Sequence, residues 1–242
     1  MKMLSLSLES YAKNIKIISF CAIPFLVSFP VALMLPNYAA LGAIFLRMDS
    51  IRWDLALPDI LVTLGLPLVS MLLFSFALVA INMAITKQRT LTRVTFYEFE
   101  KIEHKTFELF EICFLAFAAT IFVNLYLYGY GLHATIGALA SALAAVAMLF
   151  VPQAIVIDGL GGANAVKKSI RTLGRTLPHT IMFLMFSAFL IALNDAVFIQ
   201  LSASPAVFLF ARYATVAINA LVILPFLEVL KVQIYLEKYT LL

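Results

Sequence analysis

Glu111, Glu228, Asn82 and Asn219 are the side chains whose type and placement would do chemistry here, because each falls inside a long apolar run. Ionisable and amide groups are costly in lipid, and where they occur they tend to line ion or substrate paths. Gathered around a polar cavity, these four would bind a cation or a proton. Glu228 also precedes Lys231 by three residues, the spacing of a surface ion pair on one helix, which is the simpler account. Both readings stand on the sequence. A second polar group, Asn194, Asp195 and Gln200, crowds the end of one apolar run, and Arg212 lies two turns into the next. An Asp195–Arg212 pair would neutralise both charges near one membrane face.

The other chemistry-bearing stretch is basic. Lys168, Arg171 and Arg175 recur at i, i+3 and i+7, with Lys167 at the edge of the stripe. Val166, Ile170, Leu173 and Leu177 recur beside them at i, i+4, i+7 and i+11, the pattern of an amphipathic helix. No acidic residue falls between positions 163 and 177, Gly159, Gly161 and Gly162 break the chain before it, and Pro178 follows it. Such a helix would lie in the headgroup layer with its cations towards anionic lipid or an acidic partner surface, or would simply fix orientation. The three glycines make no phosphate loop, since no strand precedes them and no Lys-Ser/Thr pair follows at the required spacing.

Enzyme signatures are otherwise missing. His104, His133 and His179 lie on different connections, so no metal centre is expected, and neither His-Glu-x-x-His nor Gly-x-Ser-x-Gly occurs. Cys21 and Cys113 have no metal-ligand spacing and read as small apolar packing residues. Nothing interleaves aromatic and basic residues as a nucleic-acid groove does. No catalytic residue and no cofactor is expected.

The elements that must hold these residues follow from composition. Of 242 residues, 64% are hydrophobic and 12% charged, with a mean hydropathy of +1.04. Soluble domains run about 45–50% apolar and roughly a quarter charged, which excludes a water-soluble globule. Six runs are long enough to cross a hydrocarbon core of about 30 Å as helix. They cover 15–36, 59–85, 107–131, 134–157, 176–193 and 205–235. The first is too long for a cleaved leader and reads as a signal anchor. Fourteen of the 17 basic residues fall before the first run, in the 2–3 and 4–5 links and towards the C-terminus, against Arg47, Arg52 and Arg212 on the other side. The positive-inside rule then puts both termini in the cytoplasm. Polar segments at 2–14, 90–106 and 163–177 precede the odd-numbered runs and suggest three helical hairpins, each with an amphipathic lead-in helix. Between the first two runs, an apolar stretch at 39–46 meets Arg47, Asp49, Arg52, Trp53 and Asp54. It fits either an interfacial helix anchored by Trp53 or a re-entrant piece.

Packing is also written in the fourth run. Gly137, Ser141 and Ala145 recur every four residues, the spacing that lets membrane helices approach closely, which places this span at the bundle centre. Pro24, Pro30, Pro67 and Pro225 fall inside runs, where each favours a kink.

One stretch carries a family resemblance. Val156-Ile157-Asp158-Gly159 after an apolar run, then Ala165-Val166-Lys167-Lys168-Ser169 and Leu173, resembles the membrane domain of glycerophosphoryl diester phosphodiesterases and its uncharacterised bacterial and archaeal relatives. Asp158 stands where that family more often has Glu. The resemblance implies a six-helix membrane domain with this segment as a structural signature. The 242 residues leave no room for the family's catalytic barrel, so no phosphodiesterase activity is implied. The sequence therefore reads as an all-α polytopic protein of the cell membrane, a single integral domain over 1–242. As a non-enzymatic protein it would act as a scaffold, assembly factor or lipid-interacting subunit. A small transporter and a membrane anchor for a separate soluble enzyme are the alternatives.

Overall fold

The computed structural model describes residues 2–28, 65–89, 96–201 and 205–240. Its elements are α1 (Lys2–Ala22), α2 (Leu66–Arg89), α3 (Phe96–Tyr128), α4 (Ala138–Ala147), α5 (Val151–Val156), α6 (Gly162–Arg175), α7 (Leu177–Leu201), α8 (Pro205–Ile218) and α9 (Leu224–Thr240). Wider π turns lead into α4 (His133–Gly137) and join α8 to α9 (Asn219–Ile223). The protein is an all-α polytopic helical bundle, and no strand occurs among the described residues. Among the described residues, five helical stretches are long and apolar enough to cross a membrane: Leu66–Lys87, Lys101–Tyr128, His133–Val156, Leu177–Gln200 and Tyr213–Leu236. These match the second to sixth expected runs. The first run is described only to Ser28, and its remainder, Pro30, the 39–46 stretch and Trp53 lie outside the described residues.

The core sits between the first, second and last helices rather than around the fourth span. Of the central stretches, 61% of the span in α2 and 50% of that ending in α9 are buried, against 11%, 17% and 6% for the other three. Ile18, Ala22 and Phe25 pack with Val79, Ile81, Val229 and Val232 in that core. The expectation that span 4 is central holds for its second half only: all six residues of α5 are buried and none of α4 is. Ala145 is exposed, whereas Gly137 is buried and Ser141 half-buried. The reason lies in α3. Asn124 Nδ2 donates to Thr120 O at 2.8 Å and to Ser141 Oγ at 3.3 Å, and its amide fills the space where a Cβ on Gly137 would stand. The small residues seat one polar side chain and close a hairpin between spans 3 and 4. Its turn runs through Gly131, whose φ of 71° suits glycine.

The lead-in helices are corrected too. α1 runs without a break from the polar segment into the first apolar run, and α3 does the same from Phe96. At 33 residues α3 is about 50 Å long, more than a hydrocarbon core needs. Its first five residues, which include Glu98 and Glu100, precede the membrane-spanning stretch, which itself opens on Lys101, Glu103, His104 and Lys105. Among the described residues, only α6 is a separate amphipathic element. On α1, Lys13 Nζ lies 2.7 Å from Glu9 Oε1 and holds that carboxyl below the usual carboxylate range. Both groups are well exposed, so the pair contributes little to stability.

Pro24 breaks its helix as expected, whereas Pro67 and Pro225 do not kink theirs in the same way. Pro67 lies in the first turn of α2, where a missing N–H costs nothing, and a turn at Ile23–Pro24 interrupts the first helix. Pro225 follows the π turn, whose wider spacing accommodates it. The break between α4 and α5 comes just before Pro152, the second residue of α5.

Candidate functional site: a buried polar knot beside a basic helix

The knot is built from three helices. α2 contributes Asn82, α5 Gln153, and α9 both Glu228 and Lys231, one turn apart. All four are buried, Asn82 and Gln153 completely. Glu228 Oε1 accepts from Asn82 Nδ2 at 2.6 Å and from Gln153 Nε2 at 2.7 Å, and Glu228 Oε2 lies 2.6 Å from Lys231 Nζ. Gln153 Nε2 also donates to Asn82 Oδ1 at 3.0 Å, and Asn82 Nδ2 to Leu78 O at 2.7 Å. The charges cancel and both carboxylate oxygens are engaged. Gln153 Oε1 has no hydrogen-bond partner. Such an arrangement ties three helices together by directional bonds where apolar contact alone gives no register.

A second set of bonds closes the same end of the bundle. Lys168 Nζ of α6 lies 2.9 Å from Asp158 Oδ2, and the buried Tyr235 hydroxyl of α9 donates to that same oxygen at 2.8 Å. Lys105 Nζ of α3 donates to Val156 O at 2.9 Å. Ser169 is the most economical of these links. Its hydroxyl donates to Ala147 O at 2.6 Å and accepts from Phe150 N–H at 3.1 Å. Those are backbone groups released by the break between α4 and α5, so a side chain from α6 satisfies the kink of another helix. The loop from α5 to α6 turns through Gly159 and Gly162, at φ 65° and 55°, which explains two of its three glycines. Gly161 leaves room for Glu108, whose Oε1 would stand 3.0 Å from any Cβ there.

The four expected cavity residues separate. Asn82 and Glu228 meet in the knot. Asn219 lies nine residues before Glu228, about 13 Å along the helix. Its Oδ1 accepts from Asn194 Nδ2 at 3.0 Å, and its Nδ2 donates to Asp195 Oδ1 at 3.3 Å. Asn194 Nδ2 also donates to Thr215 O at 3.2 Å beside the π turn. The Arg212 side chain, and with it the expected pair to Asp195, lies outside the described residues. Glu111 is exposed on α3, where with Glu108 it lines a groove of about 530 Å³ between α3, α4 and the start of α6.

The basic stripe divides as well. Lys167, Arg171 and Arg175 are exposed, while Lys168 turns inward to Asp158. α6 docks through Ala165, Ser169 and Thr172, a small and hydroxylated face, rather than through the apolar stripe. Val166 and Leu173 are half-buried, and Ile170 is 52% exposed. The apolar stripe thus flanks the docked face, with Val166 and Leu173 packed against the core and Ile170 and Leu177 left for lipid. Sequence reasoning passed over Gln153, Tyr235 and Pro152. An amide directly after a proline inside an apolar run was the signal for the first and third; nothing local marked Tyr235.

Among the described residues, no group of three or more His, Cys, Asp or Glu side chains is placed to hold a metal ion. Cys21 and Cys113 are free thiols, half-buried against the core. The fold and the site define a polytopic α-helical membrane protein with a charge-neutral polar knot at its basic end. Comparison with protein-family models, with curated proteins and with solved structures gives no match for this chain.

Proposed function

We propose that this is a non-enzymatic integral protein of the cell membrane. Its basic end and both termini face the cytoplasm, and it serves as a scaffold or lipid-interacting subunit that presents α6 to anionic headgroups. The observation that carries this reading is the exposure of Lys167, Arg171 and Arg175 on a helix whose opposite face is bonded into the bundle. A rigidly held row of three cations suits a surface of negative charge, either lipid or an acidic partner. At about 1 kcal/mol per residue near a membrane surface, the three together would favour anionic lipid by roughly 3 kcal/mol, or about a hundredfold.

The bonding of Glu228 to Asn82, Gln153 and Lys231, and its separation from Asn219, weigh against a transport cavity shared by these groups. Under the proposed resemblance to the phosphodiesterase membrane domain, the Asp158-Gly159 and Lys168 signature reads as a staple that seats α6. The test is a Lys167→Gln, Arg171→Gln, Arg175→Gln variant in nanodiscs of mixed anionic and zwitterionic lipid. Native mass spectrometry should show loss of most anionic-lipid enrichment, with Lys168 retained to keep α6 seated. Enrichment equal to that of the unmodified protein would overturn the proposal.

A further inference from the structure

The three exposed cations of α6 are spaced for more than a diffuse attraction to negative charge. Lys167, Arg171 and Arg175 fall at i, i+4 and i+8, so they form one row along the helix. Neighbours in the row are about 6 Å apart in rise, and its ends about 12 Å apart. No acidic side chain interrupts it, since the chain has no Asp or Glu from Gly159 to Asn194. Asp158, just before that stretch, is held by Lys168 and the Tyr235 hydroxyl. Glu108 and Glu111 of α3 stand against the start of α6, beside Gly161, Gly162 and Val166. The row runs away from them towards Arg175.

The surface beside the row is apolar and open. Ile170 on α6 and Leu177 at the start of α7 are exposed, and only Thr176 separates the two helices. Met182 and Met185, on the first turns of α7, are each 70% exposed. Cations above an uncovered apolar face match the profile of one lipid leaflet, with headgroups over chains.

Arg171, in the middle of the row, decides which headgroup fits best. Anions seated between neighbouring cations occupy two gaps, Lys167–Arg171 and Arg171–Arg175, about 6 Å apart along the helix. A guanidinium carries five N–H donors in a planar fork and can serve an oxygen in each gap at once, which a point-charge ammonium does less well. Two separate monoanionic lipids would have to be ordered side by side to fill both gaps. A lipid whose two phosphodiesters share a short glycerol bridge fills them in one step.

We propose that α6 carries a binding site for such a bisphosphate lipid. One phosphodiester lies in each gap, Arg171 is shared between them, and the acyl chains cover Ile170, Leu177 and the exposed start of α7. The assignment rests on the reading of α6 as a helix that meets anionic headgroups, and narrows it to one headgroup geometry.

The experiment uses the full chain in phosphatidylethanolamine nanodiscs in which phosphatidylglycerol and cardiolipin supply equal phosphate, with retained lipids counted by native mass spectrometry. The protein should retain a single cardiolipin and prefer it, per phosphate, by about tenfold over phosphatidylglycerol. That is less than bivalency can give in solution, because lipids are already concentrated in a bilayer. Arg171→Gln should bring the two lipids to parity, while Lys167 and Arg175 keep part of the phosphatidylglycerol enrichment. Arg171→Lys, which conserves charge, should fall between. Lys16→Gln, which removes an exposed cation from α1, should leave the preference unchanged. All three substitutions are at exposed positions, so the fold is not at stake. Anionic enrichment without a cardiolipin preference would overturn this assignment and leave the broader reading standing, whereas no anionic enrichment at all would overturn both. A preference that survives Arg171→Gln, or that falls as far with Lys16→Gln, would also overturn it, because the spacing of the row would then be immaterial.

Discussion

Replacing Lys231 with Met tests the polar knot directly. Lys231 Nζ stands 2.6 Å from Glu228 Oε2, with both side chains under 10% exposed. At an effective dielectric of about 20, unit charges at that distance attract by roughly 6 kcal/mol before the cost of taking them out of water. Removing the lysine leaves a buried carboxylate supported only by the amides of Asn82 and Gln153. The expected loss is about 3–5 kcal/mol, the usual consequence of orphaning one member of a buried pair. A Glu228→Gln, Lys231→Met double variant removes both charges, and a Gln at 228 can still accept from Asn82 through its carbonyl. The double variant should therefore lose no more than about 1–2 kcal/mol, less than either single change. Equilibrium unfolding in mixed detergent–SDS micelles measures all three. A Lys231→Met loss below about 1 kcal/mol, or a double variant whose loss equals the sum of the singles, would refute the reasoning. Either result would mean that the two groups do not hold each other in a dry interior.

Two further outcomes follow from single side chains. Ser169→Ala should destabilise by about 2–3 kcal/mol, because Ala147 O and Phe150 N–H at the break between α4 and α5 lose their shared hydroxyl. Thermal unfolding in detergent checks this, and Ser169→Thr should retain most of the stability if the hydroxyl is what matters. Gly137→Ala should cost about 1–3 kcal/mol, since its methyl collides with the Asn124 amide and displaces it from Ser141. Adding Asn124→Ala should recover part of that loss in the same assay, and a doubly substituted protein no better than Gly137→Ala would exclude the proposed contact.

Much of the fold was legible because its signals are local. A run of twenty or more apolar residues has to be helix in lipid, where no water satisfies the backbone, so five of the six runs map onto helices, with ends that shift by up to about eight residues. The same holds for α6, whose 3.6-residue periodicity and glycine-marked start appear at Gly162–Arg175. The i, i+3 spacing of Glu228 and Lys231 likewise anticipated their ion pair, since both partners share one helix, although the pair is buried in the bundle rather than at the surface.

Other features depended on partners distant in sequence. Gln153 is 71 residues from Asn82 and 75 from Glu228, so nothing near it revealed that it would complete their network. Tyr235 and Asp158 are 77 residues apart. The small residues of span 4 promised a central helix, yet which neighbour they seat was settled by Asn124 of α3. In α6 the apolar stripe is the obvious candidate for the docked face. The bundle instead takes Ala165, Ser169 and Thr172, because Ser169 satisfies the kink between α4 and α5 while lipid can solvate Ile170 as well as protein can. Hydrophobic periodicity thus determined which segments are helices and how far they run. Lipid is as apolar as the helix faces themselves, so periodicity does not say which face meets protein. That was decided by buried hydrogen bonds that only the assembled bundle brings together.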